Sequence, residues 1–433
     1  MNIVITKLFI KEISLLGIVI FFANTNCLKA KRSLFDTSSQ SGFANALLLS
    51  QQISAGNRVV ATPTFSNPSG HYSTSLRITI SSTTGSSIYF TRDGSEPSAS
   101  STLYTSSIHI SSLAGRTLKA IALKTGFTKS AVATAEYSYS VLKSGQTTSY
   151  ATGDDGATQL GVARSYTDNG DGTVTDSAMD LVWQKCSRGQ NNDAICSGAA
   201  TTANWAEAGA YCTGLIFASK IWRLPSRLEL ETLPDYGISN PVINGTVFPA
   251  TVASSYWSST TDAIIPANAW LVSFTVGIVN TNLQSSGANV RCVSGEAKAS
   301  SSFTDTGDGT VKDKSTGLVW QKCSNGQNND STCSGTASSF SWTLALSNCN
   351  GLSLAGRAWR LPSVKELKSI VDLTRTTAPT IDTSIFPNTN SNYWSSSTNH
   401  SSPTLAWSVN FDTAAMVSFA KVGSNLYRCV SEP

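Results

Sequence analysis

The chain has little of what catalytic and nucleic-acid-binding proteins usually need. Its 433 residues include three histidines, so neither a histidine-based catalytic centre nor a multi-histidine metal site is expected. Charged residues make up 13%, about half the usual share, and a net charge of +4 is too small to favour nucleic acid as a partner. Serine, threonine, glycine and asparagine are abundant instead, which is typical of β-rich modules displayed outside the cytosol.

The first residues have the pattern of an export signal. Two lysines precede an apolar run over residues 13–23, which as a helix reaches only about half the thickness of a bilayer core. We therefore predict a signal peptide over residues 1–26. Cys27 then occupies the place of the lipidated cysteine of a bacterial lipoprotein, with ordinary cleavage nearby as the alternative. Residues 27–61, rich in serine, glutamine and asparagine, are predicted to form a lipidated flexible tether.

Residues 62–141 have the spacing of an all-β module. Alternating apolar runs, separated by turn-forming clusters, begin at residues 76, 87, 107 and 118. The segment IYFTRDGSEPS at 88–98 includes an Asp-Gly turn signal, and with the later LKAIALKTGFTKS it resembles the chitobiase/β-hexosaminidase C-terminal domain. The resemblance implies an immunoglobulin-like β-sandwich without catalytic chemistry of its own. Tyr89, Tyr104 and Phe127 are candidates for a sugar-binding platform, and core packing is the alternative.

The rest of the chain repeats itself with an offset of about 137 residues. YTDNGDGTVTD at 166–176 corresponds to FTDTGDGTVKD at 303–313, and WRLPS and YWSS each occur twice. A period of this length means two globular domains rather than a solenoid. We place copy 1 at residues 160–297 and copy 2 at residues 298–433.

Eight of the nine cysteines form two matching sets of four, and Cys27 is the odd one, as a lipidated cysteine should be. An even set in an exported domain implies two disulfides per copy, and four cysteines allow three pairings. We favour a short clamp and a long closure in each copy. The predicted pairs are Cys186–Cys196 with Cys212–Cys292 in copy 1, and Cys323–Cys333 with Cys349–Cys429 in copy 2. Zinc binding is disfavoured because the spacings contain no CxxC.

The motifs GDGTVxDxxxxLVWQ, WRLPSxxEL, YWSS and the closing RCV together resemble the Legionella collagen-like protein C-terminal domain family. The resemblance implies an α+β C-type-lectin-like fold and adhesion to glycosaminoglycans or matrix proteins, without catalysis. The residues agree with this fold, since 204–215 has helical apolar spacing that turns Cys212 toward a core. Arg223 and Arg360 are expected to satisfy buried carboxylates near Glu229 and Glu366.

Two kinds of side chain are candidates for ligand contact. Trp257 and Trp394 have polar neighbours in the YWSS motifs and are the tryptophans best placed to stack on a sugar, with core packing as the alternative. The copies also differ in charge, because copy 1 with its preceding linker (146–297) has 7 Lys/Arg and 13 Asp/Glu, whereas copy 2 has 11 and 9. A polyanion should therefore prefer copy 2 or the mildly basic sandwich module. The candidate contacts in copy 2 are Lys365, Lys368, Arg375 and Lys421.

No metal or cofactor is expected. The carboxylate-Pro-Asn and Trp-Asn-Asp strings of calcium-binding lectins are absent from the sequence. The GDGT segments loosely resemble calcium loops but lack the distal glutamate of an EF-hand, so we interpret them as β-hairpin turns.

These patterns lead to one favoured function and two alternatives. We expect a non-enzymatic lipoprotein anchored to the bacterial outer membrane, exposed at the cell surface, that binds glycans, including sulfated glycosaminoglycans, or matrix proteins. The first alternative is a structural or assembly component of the envelope that binds another bacterial protein. The second is an enzyme of the sulfatase-modifying-factor type. It is disfavoured because that family needs a redox-active cysteine pair, whereas Cys292 and Cys429 each stand alone in the closing RCV motif.

Overall fold

The computed structural model describes residues 58–73, 75–110, 116–297 and 302–433. These ranges are mostly β-sheet, with few and short helices, and are divided among several domains. The predicted signal peptide, Cys27 and most of the predicted tether lie outside the described residues. Within them, no helix combines the length and the apolar character that crossing a bilayer requires.

The first module consists of short strands that form one larger sheet and two strand pairs. A five-stranded sheet has the order β2-β9-β8-β5-β6, and β1 pairs with β4 and β3 with β7. The strands are β1 Thr64–Phe65, β2 Gly70–Tyr72, β3 Leu76–Ile78, β4 Ile80–Ser81, β5 Ser87–Thr91, β6 Thr102–Leu103, β7 Ile108–Ile110, β8 Arg116–Leu123 and β9 Ala133–Tyr139.

The alternation seen in the sequence becomes burial in this sheet. In β9, alternate residues from Ala133 to Tyr139 are buried, because successive side chains of a strand point to opposite faces. Tyr104 and Phe127 pack against the same core, so the core interpretation describes them better than a sugar platform. Tyr89 is half-buried and lies outside that core cluster.

The two copies have the same order of elements and the same sheet topology. Each has a four-stranded antiparallel sheet that includes its last strand, and a three-stranded antiparallel sheet. A short helix α1, Asp155–Thr158, precedes copy 1. Copy 1 contains β10 Tyr166–Asp168, β11 Thr173–Asp176, β12 Leu181–Gln184, α2 Trp205–Thr213, α3 Arg227–Leu230, β13 Ser255–Thr261, β14 Asn268–Ser273, β15 Val279–Leu283 and β16 Val293–Ser294. Copy 2 contains β17 Phe303–Asp305, β18 Thr310–Asp313, β19 Val319–Gln321, α4 Trp342–Asn350, α5 Val364–Ser369, β20 Asn392–Thr398, β21 Leu405–Asn410, β22 Met416–Ala420 and β23 Val430–Ser431.

The WRLPS motif begins a helix in both copies. Ser226 caps α3 and Ser363 caps α5. Each serine hydroxyl accepts a hydrogen bond from the backbone N–H of the glutamate three residues on, and the carboxylate of that glutamate accepts one from the backbone N–H of the serine. This reciprocal arrangement satisfies two backbone groups that the first turn leaves free. The same glutamates, Glu229 and Glu366, receive paired hydrogen bonds from the arginine of the motif at 2.6–2.8 Å. The predicted arginine–carboxylate contacts are therefore confirmed.

All four predicted disulfides are present. The short disulfides join Cys186 to Cys196 and Cys323 to Cys333, each 10 residues apart, and clamp a surface loop. The long disulfides join Cys212 to Cys292 and Cys349 to Cys429, each 80 residues apart. Each long disulfide ties a helix to the segment that leads into the last strand, so it connects the middle of a copy to its end.

The two copies pack against each other through their WRLPS helices. The carboxylate of Glu231, just after α3, binds Arg227 Nε of its own copy at 2.5 Å and Lys368 Nζ of α5 at 3.1 Å. Arg227 also donates to the backbone oxygen of Ala414 at 2.8 Å. Tyr236 of copy 1 lies edge-to-face against Trp407 of copy 2, with ring centroids 6.0 Å apart. Charged and aromatic side chains thus share a buried interface between the copies.

The segment that connects the sandwich module to copy 1 packs against copy 2. We call residues 142–159 the strap. Gln146 exchanges two hydrogen bonds with the backbone of Thr398, and Asp155 accepts one from the Ser397 hydroxyl. Burial raises the pKa of Asp155 to about 6, although hydrogen bonds from Ser144 and Ser397 oppose the rise. The backbone oxygen of Ser144 also accepts a hydrogen bond from Tyr236 N of copy 1 at 2.9 Å, so the strap contacts both copies.

Candidate functional site

The two tryptophans predicted to stack on a sugar are core residues. Trp257 and Trp394 are both 0% exposed. Each indole N–H is satisfied inside the protein, donating to the backbone oxygen of Ala203 at 2.9 Å and of Phe340 at 2.8 Å respectively. The prediction of ligand contact is wrong for both, because the polar neighbours in YWSS face other parts of the fold while the indoles fill the core.

Two of the predicted lysines are also buried, in the interface between the copies. Lys365 Nζ donates to the backbone oxygens of Glu231 and Thr232 at 3.0 and 3.1 Å, and Lys368 binds the Glu231 carboxylate and Tyr236 Oη. The prediction that they contact a surface polyanion is wrong, because copy 1 occupies the space around them. Two of the lysines that make copy 2 more basic are thus bound to copy 1 and are not on the surface.

The other two predicted cations do not form a shared patch with these lysines. The Lys421 ammonium lies over the rings of Trp342 and Tyr150, 4.0 and 4.7 Å from their centroids, and donates to Thr398 Oγ1 at 2.8 Å. Partial burial lowers its pKa to about 8. Arg375 is half-buried in the loop that follows α5. Neither lines any of the three cavities that the structure describes.

The aspartates of the GDGT segments hold hairpins together. Asp168 and Asp305 each receive a lysine ammonium at 2.7 Å, from Lys185 and Lys322. These hydrogen bonds lower the pKa of both carboxyls. Asp171 accepts from the backbone and hydroxyl of Thr173, two residues on. Among the described residues, no group of three or more histidine, cysteine or acidic side chains is arranged to hold a metal ion.

An open groove lies beside the short disulfide of copy 2. It measures about 600 Å³, and its walls are the disulfide loop on one side and residues 379–390 on the other. Seven of the nine lining residues are serine, threonine or asparagine, the other two are Pro379 and Pro387, and none is charged. Asn388 fixes the two walls together, because its amide donates to the backbone oxygens of Thr332 and Cys333 at 3.0 and 3.3 Å. The side chains of Thr383 and Asn390 make no hydrogen bond to another described residue, so they are available to a ligand.

Comparison with known protein families identifies the repeated unit. A model of the Lcl C-terminal domain matches residues 172–294 and again residues 309–431, which together are more than half of the chain. The chain belongs to the Lcl C-terminal domain family. A model of the chitobiase/β-hexosaminidase C-terminal domain matches residues 67–134, ahead of the two Lcl C-terminal domains. No curated protein matches the chain.

The two Lcl C-terminal domains differ at the groove. The residues of copy 1 that correspond to Thr332 and Asn390 are Ile195 and Val252. These two side chains are 68% and 38% exposed, so they present apolar surface where copy 2 presents a hydroxyl and an amide. The glutamine that supports the far wall is shared, since Gln190 and Gln327 each donate to a backbone oxygen there. The frame is therefore common to both domains and the lining chemistry is not.

Sequence reasoning overlooked this groove although a signal for it was present. Apart from two prolines, the lining residues are serine, threonine and asparagine, which are abundant throughout the chain and form no motif here. The signal was the comparison of the copies, because Ile195 and Val252 of copy 1 stand where copy 2 has Thr332 and Asn390.

Proposed function

We propose that this protein is a non-enzymatic binding protein whose second Lcl C-terminal domain binds uncharged, hydroxyl-rich ligands, such as neutral glycans or the glycan chains of matrix proteins. The observation that carries the proposal is the groove of about 600 Å³ in copy 2, whose lining consists of serine, threonine and asparagine side chains with two prolines and carries no charge. Such side chains exchange hydrogen bonds with sugar hydroxyls as both donors and acceptors. The frame of the groove is fixed by a disulfide and by the Asn388 amide, so little order has to be created on binding.

The preference for an uncharged ligand follows from where the cations lie. Lys365 and Lys368 are 7% and 4% exposed, and Lys421 holds its ammonium against two aromatic rings. A sulfated polysaccharide bound by these residues would have to displace contacts that already hold the domains together. Binding to sulfated glycosaminoglycans thus has less support than binding to neutral sugars.

The finer fold assignments belong to the same proposal. We infer an immunoglobulin-like sandwich for the first module, supported by its five-stranded sheet facing two strand pairs across one apolar core. For each Lcl C-terminal domain we infer a C-type-lectin-like fold, supported by the long disulfide from a helix to the end of the domain and by the two antiparallel sheets.

The proposed location is the outer surface of a bacterial cell, with the protein lipidated at Cys27. The residues that motivate this are the charged and apolar start of the sequence and the odd cysteine count. Structural disulfides in both copies fit an oxidising compartment. Cys292 and Cys429 are each bonded to a helix cysteine, so neither supplies the free thiol that would favour the enzyme alternative.

A second candidate function, binding another envelope protein, is favoured by one observation. In the loop after α2 of copy 1, Ile216 and Ile221 are 100% and 90% exposed. The corresponding residues of copy 2 are Ser353 and Ala358, so the fold does not need isoleucine there. Two large apolar side chains left in water on one loop are more typical of a protein contact than of a sugar site.

The deciding experiment is a glycan and matrix-protein array probed with the purified, oxidised protein at low and high salt, with and without a chelator. We expect binding to neutral glycans that neither salt nor chelation abolishes. The double variant Thr332→Ile/Asn390→Val, which gives copy 2 the lining of copy 1, should lose that binding. The matched double variant Ile195→Thr/Val252→Asn in copy 1 should keep it.

Three results would count against this proposal. Unchanged binding by the Thr332→Ile/Asn390→Val variant would remove the groove from consideration. Binding that disappears at high salt would favour sulfated glycosaminoglycans over neutral glycans as the ligands. A blank array, together with capture of an envelope protein that Ile216→Ser/Ile221→Ala abolishes, would establish the second candidate function instead.

A further inference from the structure

A second cavity lies where the sandwich module and both Lcl C-terminal domains meet. Its volume is about 450 Å³, which is within the range of small-molecule sites. Residues from the end of β9 and the start of the strap form one wall, α3 and its following turn form the second, and α5 with the loop after it forms the third. Small-molecule sites are common at interfaces between domains.

Most of the wall is apolar. Leu142 and Met179 contribute from the side of copy 1, and Phe303, Ile370 and Ile385 from copy 2. Leu228 completes this surface from α3. A ligand that fills the cavity therefore needs a hydrocarbon portion, whose transfer from water would be favourable by about 25 cal/mol for each Å² buried.

The buried charges at the wall do not balance. Three carboxylates line the cavity. Asp372 and Asp382 are half-buried and accept hydrogen bonds from the backbone two residues on, whereas Glu231 is 6% exposed and already binds both Arg227 and Lys368. Lys365 lines the same wall, is 7% exposed and forms no ion pair with a described carboxylate. Its ammonium bonds only the backbone oxygens of Glu231 and Thr232, two residues that also line the cavity.

An ammonium with two carbonyl partners can donate one more hydrogen bond. Burial lowers the pKa of Lys365 well below its usual range, and the nearby cations of Arg164 and Lys368 lower it further, whereas the carboxylates of Asp235 and Glu231 oppose the shift less strongly. A buried cation without a counter-ion is costly, and an anion placed against it recovers that cost. The position therefore favours a negatively charged group inside the cavity.

We propose that this cavity binds a small amphipathic carboxylate, with its headgroup paired to Lys365 Nζ and its hydrocarbon chain against Leu228, Phe303 and Ile370. Both copies contribute to this site. Lys365 of α5 supplies the charge, and Leu228, at the corresponding position of α3, supplies apolar surface. The site is independent of the groove beside the short disulfide of copy 2.

The test is isothermal titration calorimetry of the full, oxidised chain with octanoate, and with octan-1-ol as the uncharged match. We expect saturable binding of one octanoate per chain and markedly weaker binding of the alcohol. Lys365→Met should weaken octanoate binding about tenfold or more, the usual effect of losing a charged partner. Leu228→Trp, which fills the cavity and leaves every charge in place, should abolish it.

The control variant is Lys312→Met on β18, which removes an exposed lysine outside the cavity and should leave binding unchanged. Equal affinity for octanoate and octan-1-ol, or no binding of octanoate to the unmodified chain, overturns the proposal. So does octanoate binding that survives Leu228→Trp. These comparisons on the unmodified chain and on Leu228→Trp keep the test decisive even if Lys365→Met fails to fold.

Discussion

Arg227, Glu231 and Lys368 form a buried charge cluster between the copies, and its geometry allows a quantitative prediction about Glu231. This carboxylate is 6% exposed and is the shared partner of Arg227 and Lys368. Burial alone would raise its pKa, but the two cations outweigh burial and lower the pKa to about 2. Glu231→Gln keeps the size of the side chain and removes its charge, which leaves the cations without their anion.

Breaking a buried ion pair from one side typically costs about 3–5 kcal/mol, because the partner charge stays buried and uncompensated. We expect Glu231→Gln to lower the free energy of unfolding by about that amount. The assay is urea unfolding of the oxidised protein followed by tryptophan fluorescence, which reports on Trp270 beside Arg227 and on Trp407 beside Tyr236. Glu207→Gln, at an exposed position of α2, is the matched control and should change little.

A second variant separates the charge from the packing. Replacing Arg227, Glu231 and Lys368 together by Met, Leu and Met removes every charge of the cluster, and such replacements are often neutral or stabilising. We expect the triple variant to be at least as stable as the original chain. A loss below about 1 kcal/mol for Glu231→Gln, in the range of a surface pair, would refute the view that the cluster is a desolvated interface.

Three further predictions concern other parts of the fold. Replacing both cysteines of the long disulfide of copy 1 by alanine should destabilise the protein by about 4.5 kcal/mol, and the same change at the short disulfide by about 2.8 kcal/mol, because the longer closed loop restricts the unfolded chain more. Thermal unfolding of the two variants checks this order. A larger loss of stability for the short disulfide would contradict it. Because the folded-state pKa of Asp155 is raised to about 6, stability should fall by about 2–3 kcal/mol as the pH rises from 4 to 6, and Asp155→Asn should remove that part of the slope in urea titrations at several pH values. Trp394→Ala should cost about 3–5 kcal/mol in thermal unfolding, and a Trp394→Phe variant that folds should bind glycans normally; loss of binding by the folded phenylalanine variant would return Trp394 to the ligand site.

The internal repeat made much of the fold predictable. Two copies that keep cysteines at the same spacing restrict the choice of pairing, and the pairs Cys186–Cys196 and Cys212–Cys292 are confirmed. Arg223 beside Glu229 was also predictable, because a motif that repeats an arginine and a capping glutamate six residues apart brings them to one helix start. Local spacing carries this kind of information because the contacts involved are close in sequence.

The candidate site was less predictable, because segment charge does not tell which face a lysine occupies. Lys365 and Lys368 were counted as part of a basic surface, whereas copy 1 covers them. A signal did exist in the comparison of α3 with α5, where Leu228 and Glu231 of one copy correspond to these two lysines of the other. Glu231 and Lys368 carry opposite charges at corresponding positions and touch where the copies meet, which hydrophobic periodicity does not reveal.

The strap also has a consequence for the order in which the protein is made. Gln146 is synthesised long before its partner Thr398, which lies 252 residues further along the chain. Domains generally fold in the order of synthesis, so the sandwich module and copy 1 are complete while the strap still lacks the surface that it will cross. Only when copy 2 emerges and folds do the Gln146 and Asp155 contacts form. The last domain to be made thus secures the strap. A chain that stops after copy 1 would keep the ion pairs of Arg92 and Arg116 with Glu296 between the sandwich and copy 1, but would leave Gln146 and Asp155 without their partners in copy 2.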